Sequence, residues 1–186
     1  MKYTEEMLDY LSGRKFVSVY HMKLEPNEVV YRIDKTVEIC KGKKIIHIGC
    51  CDHLPVIEEK RSQGTWLHEI LENNCEKVLG LDINDEAVRY CNEKGYSKIP
   101  MICGDVTTDD FEFDFSEYDI VILGEIVEHV DNPTDFLRRM KENLAGHGFT
   151  GVFLITVPNA FRMLRIQGYM DGVEMVNSDH RYWFTP

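Results

Sequence analysis

From residue 44 onward, short apolar runs rich in β-branched residues alternate with amphipathic stretches that end in Gly or Asn. The runs occupy 44–49 (KIIHIG), 77–82 (KVLGLD), 99–103 (IPMIC), 119–124 (DIVILG) and 152–157 (VFLITV). Between them the spacing predicts helices over 62–74, 85–94 and 133–144. Gly95 stops the second, and the third opens with Asn132 as cap and Pro133 in its first turn. Runs that are apolar on both faces and separated by helices predict a parallel sheet covered on both sides, a doubly wound α/β fold. Residues 1–43 read as a helical extension to this domain of 44–186. In the extension Pro26 can open a helix on which Val29, Val30, Ile33 and Val37 recur, and 16–20 has strand-like composition.

In sheets of this kind ligands bind outside the carboxyl ends of the strands, so the residues standing there carry the chemistry. Gly49, Cys50, Cys51 and Asp52 follow the first run, Asp82 and Ile83 the second, and Gly104, Asp105 and Val106 the third. Gly124 and Glu125 follow the fourth, and Pro158 and Asn159 the fifth. A carboxylate at Asp82 suits the two hydroxyls of a ribose, against the plainer role of capping the next helix. Asp105 suits an adenine amino group, with the next backbone amide at a ring nitrogen, against the role of a turn residue. Glu125, Glu128 and His129 stand at i, i+3 and i+4 after the fourth run and would share one side of a helix. With His180 from the carboxyl-terminal segment they suit proton transfer or a hard divalent cation; a solvated helix face is the alternative. Trp66 reads as core ahead of pocket wall. Tyr169, Tyr182, Trp183 and Phe184 suit an aromatic substrate wall or internal packing, and Arg162 and Arg165 an anionic substrate or a solvated face.

Charge narrows the partners. The 186 residues carry 21 Lys and Arg against 32 Asp and Glu, a net charge of −11 that repels phosphate backbones and anionic lipid. No run approaches the ~18 apolar residues of a membrane span, and the acidic opening MKYTEEMLDY is unlike a secretion signal, so a cytoplasmic location is expected. Six cysteines without a Cys-x-x-Cys pair read as free thiols.

The ordered set IIHIGCCDHLP, VLGLDINDEAV, CGDV, YDIVILGEIVEHVDNP and LITVPN resembles the successive motifs of class I S-adenosylmethionine-dependent methyltransferases. Together with VPNAFR and SDHRYWFTP it is most similar to bacterial members associated with polysaccharide or other small-molecule biosynthesis. The resemblance covers roughly 43–186 and implies a Rossmann-like sheet and S-adenosylmethionine as cofactor. Cofactor contacts are then expected from His47, Gly49, Cys50, Cys51, Asp52, Asp82, Ile83, Asp105, Val106, Gly124 and Glu125. His129 and His180 would orient or deprotonate the hydroxyl of a small-molecule acceptor such as a saccharide.

This sequence departs from the family in its first motif. His47 stands where the family has an acid, and Cys51 and His53 stand where it has glycines. A Cβ at Cys51 would crowd the cofactor's methionine end, so either the loop takes another path or the site is degenerate. Two further readings follow. The Glu-x-x-Glu-His run with a later His is similar to the metal site of small-RNA 3′-terminal 2′-O-methyltransferases, implying a divalent ion on Glu125, Glu128, His129 and His180. That ion is not favoured, and the acidic charge balance weighs against RNA. The altered glycine loop would instead suit a non-catalytic scaffold. The family fold also continues with a helix and two more strands beyond the equivalent of WFTP. The fifth strand is therefore expected at an edge, left bare by a short chain or covered by a second subunit of a homo-oligomer.

Overall fold

The computed structural model describes residues 4–21, 30–108, 111 and 113–185. The chain divides into two compact units, residues 1–31 and 32–186. The first holds α1 (Glu5–Leu11), capped by Thr4, whose hydroxyl accepts the Met7 N–H. Residues 16–20 form no strand, and Pro26 and Val29 lie outside the described residues.

The second unit is built on five parallel strands: β1 (Lys44–Ile48), β2 (Lys77–Asp82), β3 (Ile102–Cys103), β4 (Ile120–Gly124) and β5 (Val152–Thr156). Their spatial order is β3-β2-β1-β4-β5. The order reverses beside β1, which places the switch point between β1 and β4. Alternation along each strand sends side chains to opposite faces. Ile46, Ile48, Leu79, Leu81, Val121 and Leu123 share one cluster with Met140 and Leu144 of α6 (Pro133–Gly146). Ile45, Val78, Ile120 and Ile122 share another with Cys40 of α2 (Arg32–Cys40) and Leu71 of α4 (Leu67–Asn74). A third cluster gathers Cys50, Trp66 and Met101 with Ile57 of α3 (Leu54–Ser62) and Val88 and Cys91 of α5 (Asp85–Lys94). Trp66 is thus a core residue, 1% exposed. The last helix, α7 (Met163–Met170), buries none of its residues.

Three expectations need correction. The helix expected over 62–74 is broken at Gly64, which takes the left-handed conformation at φ +66°, and α4 starts only at Leu67. The third strand is two residues long rather than five. Pro100 has no N–H to give, and the Asn92 amide takes both the N–H and the C=O of Met101, at 2.8 and 2.9 Å. The segment after β4 is not an α-helix from Glu125. It is a 3-10 turn, Val127–His129, preceded by Glu125 at φ +61°. Glu125 and Glu128 therefore do not share a helix face.

β5 lies at the edge of the sheet with Val152 61% and Ile155 39% exposed. Ile122 is fully buried between β1 and β5. Ile122→Ala should cost about 2–5 kcal/mol in a urea denaturation, whereas Val152→Ala should change stability by no more than about 0.5 kcal/mol.

Candidate active site

The carboxyl ends of β1, β2 and β4 open into a cleft of about 500 Å³. Its floor rests on Asp82. One carboxylate oxygen accepts the Cys51 N–H at 2.9 Å and the other the Asn84 N–H at 3.0 Å, so the loop after β1 is tied to the end of β2. The residue is 8% exposed. Each oxygen still has a second lone pair available to a ligand in the cleft.

Two backbone conformations shape the walls. Gly49 sits at φ +66°, and a Cβ there would lie 2.2 Å from the Ile126 side chain, so any other residue would be strained and would displace Ile126. Glu125 holds a left-handed backbone without being glycine. Its N–H donates to the Thr156 carbonyl at 3.0 Å, and its carboxylate meets Arg32 Nε at 3.3 Å. The altered glycine loop also finds its explanation here. The Cys51 sulfur lies 3.8 Å from Met101 Sδ and 3.9 Å from Cys50 Sγ, directed toward the third core cluster, while its N–H is spent on Asp82. The loop thus takes a path set by Asp82 rather than by a second glycine. The neighbouring Cys50 thiol, and then burial, hold the Cys51 thiol far above its usual range, so it stays protonated.

The carboxyl-terminal segment closes one side. Arg181 N–H donates to the Glu128 carbonyl at 2.8 Å, and the Tyr182 hydroxyl to the Asp131 carbonyl at 2.6 Å. This brings His180 against His129, ring centroids 4.7 Å apart and nearly perpendicular. His129 Nδ1 lies 3.1 Å from the Asp179 carbonyl, which can only accept, so the neutral ring carries its proton there and leaves Nε2 bare. Asn177 accepts the Asp179 N–H at 3.0 Å through Oδ1, so its amide nitrogen donates to His180 Nε2 and the His180 proton sits on Nδ1. Burial, then the nearby His129 and Arg165 charges, lower the His180 pKa and favour this neutral form. Behind them Glu128 is fully buried, with neither carboxylate oxygen hydrogen-bonded among the described residues and Oε1 4.0 Å from His129 Nε2. Burial raises its pKa.

Of the residues expected at the site, His47, Gly49, Cys50, Cys51, Asp52, Asp82, Gly124, Glu125, His129 and His180 line the cleft. Ile83 is 76% exposed and Val106 is 3% exposed within the core; neither lines it. Asp105 is exposed, with Oδ1 taken by the Thr107 N–H and hydroxyl at 2.8 and 2.7 Å, the turn role. For the metal set, Glu128, His129 and His180 bring one ligand atom each within 4.8 Å of one another, without Glu125. Their protons fit a cation poorly, because His180 presents an N–H rather than a lone pair and would have to give up Asn177 to change. Sequence reasoning missed Arg32, Lys60, Asn177 and Asp179, which also line the cleft. Lys60 pairs with Asp52 at 2.6 Å, and only the i, i+8 spacing across a helix start hinted at it.

The aromatic residues divide. Phe184 packs against the first core cluster and pairs with Asn159, while Tyr169 is 60% exposed. The Arg165 guanidinium lies 3.4 Å above the Trp183 ring.

This strand order, with a cleft at the β1/β4 switch point and an acid closing β2, defines a doubly wound, Rossmann-like α/β fold. The methyltransferase-domain family profile matches residues 63–151. A ubiquinone biosynthesis O-methyltransferase from Glaesserella parasuis is 28% identical over 140 residues, 72% of this chain and 53% of that protein. This chain therefore spans about half the length of the curated relative it matches. Among solved structures, the N-methyltransferase NodS from Bradyrhizobium japonicum, in complex with S-adenosylhomocysteine, shares 18% identity. It aligns over 66% of this chain and 59% of its own, with a TM-score of 0.45. An S-adenosylmethionine-dependent methyltransferase from Clostridium acetobutylicum shares 16%, over 72% and 50%, with a TM-score of 0.44. This chain is thus similar to methyltransferases, with the methyltransferase-domain match covering a little under half of its length. No helix among the described residues is long and apolar enough to cross a membrane.

His47 gives this site a pH signature. Burial, then the neighbouring His68 and Arg32, depress its pKa well below the ordinary 6.5. As pH falls through 6.5 the unfolded chain takes up the proton first, so stability is present above that pH and is lost below it until the folded pKa is passed. Urea denaturation at pH 7.5 and 5.5 should show a loss of up to about 1.4 kcal/mol that is absent from His47→Gln.

Proposed function

We propose that this chain binds S-adenosylmethionine in the β1/β2/β4 cleft and transfers its methyl group to a hydroxyl of a small molecule, with a saccharide as one acceptor class. The observation that carries the reading is Asp82, a nearly buried carboxylate at the end of β2 with spare lone pairs facing the cleft. It would accept the ribose hydroxyls, and residues 49–52 would receive the methionine end. Asp105 Oδ2, free of the turn, would serve the adenine, beside Ile83 and the Val106 N–H. When bound, the cofactor supplies an electrophilic methyl on a sulfonium.

The chain supplies alignment and a place for the acceptor's proton. His129 Nε2, bare and half-exposed at the cleft, would take the proton of an acceptor hydroxyl. The imidazolium so formed faces the Glu128 carboxylate at 4.0 Å, and His180, edge-on to His129 with its Nδ1 buried, would help orient the acceptor by holding that ring in place. The curated relative's name specifies O-methylation, which supports an oxygen acceptor here. Six free thiols fit a reducing compartment, and we place the protein in the cytoplasm. The net charge of −11 supports a small-molecule acceptor over RNA.

Calorimetric titration with S-adenosylhomocysteine tests the cofactor half. Asp82→Ala should weaken binding by about 1–3 kcal/mol, and unchanged affinity would remove the ribose assignment. The chemical half is tested by transfer of labelled methyl to a panel of hydroxylated small molecules. His129→Ala should lower the rate by about 10²–10⁴ with cofactor affinity intact, and wild-type transfer should persist in EDTA.

A further inference from the structure

Three sulfur atoms meet behind the cleft floor. Cys50 Sγ and Cys51 Sγ lie 3.9 Å apart, and the Met101 thioether stands 3.7 Å from the first and 3.8 Å from the second. Cys50 and Met101 are buried and Cys51 is partly exposed. Both cysteines line the cleft, and Met101 lies behind them in the third core cluster. Methyl transfer makes no use of these sulfurs.

Each sulfur is held by a different part of the sheet. Cys50 and Cys51 sit on the loop after β1, whose path is fixed by the Cys51 N–H on Asp82. Met101 has its N–H and C=O clasped by the Asn92 amide just before β3, so its thioether rises from a fixed backbone. Between them β2 carries Gly80, where a Cβ would come within 2.8 Å of Cys50 Sγ and 3.0 Å of Met101 Cγ. Glycine weakens a strand interior and marks a place where another group must come close; here the room goes to the sulfurs. An ion centred in a triangle of these sides lies about 2.2 Å from every corner, the length of a metal–thiolate bond. Two thiols and a thioether are soft donors, which select Cu(I) over hard cations. An Asp82 oxygen also lies within 4.8 Å of both thiol sulfurs, but each of its oxygens already accepts a backbone N–H.

We propose that Cys50, Cys51 and Met101 form a three-sulfur site for a soft monovalent cation, Cu(I), entered from the cleft. The incoming ion displaces the two thiol protons to solvent and takes a lone pair from each of the three sulfurs; no electron changes hands. Affinity therefore rises with pH. The bound ion ties the loop after β1 to the residue that precedes β3, as Asp82 ties the same loop to β2. The site stands whether or not the cleft takes an adenosyl ligand.

Reduced full-length protein, titrated with Cu(I) under nitrogen in competition with bicinchoninate, tests it. Cys103→Ser serves as the background, because an exposed thiol binds soft ions on its own. One equivalent should be held against the chelator, and X-ray absorption at the copper edge should find three sulfur neighbours at about 2.2 Å. Cys51→Ser and Met101→Leu, checked for folding by circular dichroism, should each lower the affinity by roughly tenfold or more, and Met101→Leu should leave two sulfur neighbours. Unchanged affinity in Cys51→Ser would put the ion on other thiols and overturn the proposal. Oxygen or nitrogen neighbours around the ion would overturn it as well, and that measurement on the background protein decides alone if the variants do not fold. Loss of all Cu(I) to the chelator would reduce the three sulfurs to core packing.

Discussion

The Asp82 carboxylate holds two backbone amides from different strand ends at once, Cys51 N–H and Asn84 N–H. A buried carboxylate with no donors would cost several kcal/mol or take up a proton. Two donors satisfy its oxygens, and in exchange the loop after β1 is fixed against β2. The position of Cys51, the inward turn of its sulfur and the opening of α5 at Asp85 all follow from that clasp. The cleft floor is therefore a product of backbone hydrogen bonding to one acid, with the parallel sheet supplying the two ends that it joins.

The cleft combines groups of opposite protonic character. On one side stands Asp82, an acceptor for the amides around it. On the opposite side the carboxyl-terminal segment holds His180 with its protonated nitrogen buried and fixes His129 through its Nδ1. Neither tautomer comes from the histidines themselves. Each is dictated by a neighbour that can only accept or only donate, the Asp179 carbonyl for His129 and the Asn177 amide for His180. A segment some fifty residues downstream thus sets the acid–base character of a turn that follows β4.

β1, β2 and β4 were legible because each is an apolar run buried on both faces, and β2 and α5 begin and end where the sequence signals place them. The failures have separate physical causes. At 99–103 a side chain, Asn92, outcompeted a strand partner for Met101. α3 was missed because a helix that buries Ile57 alone carries little periodicity, although Pro55 in its first turn was a signal. Glu125, Glu128 and His129 have helical spacing in sequence, but the backbone leaves the helical region at Glu125. Asp82, Gly49 and His129 were legible because strand-end position is read directly from the runs. The buried contacts of His47 with His68, His68 with Ser97 and Ser97 with Glu72 were not, since they join β1, α4 and the loop after α5 through side chains that no local pattern records.

Glu125 carries a further consequence. A side chain at positive φ stores about 1 kcal/mol or more that glycine or asparagine at the same place would release. Such a replacement would make the fold more stable while stripping Arg32 of its partner and leaving an uncompensated cation at the cleft. One route by which substitution hardens this protein thus runs through the cleft, and selection for thermal robustness alone would be expected to change the charge of its wall.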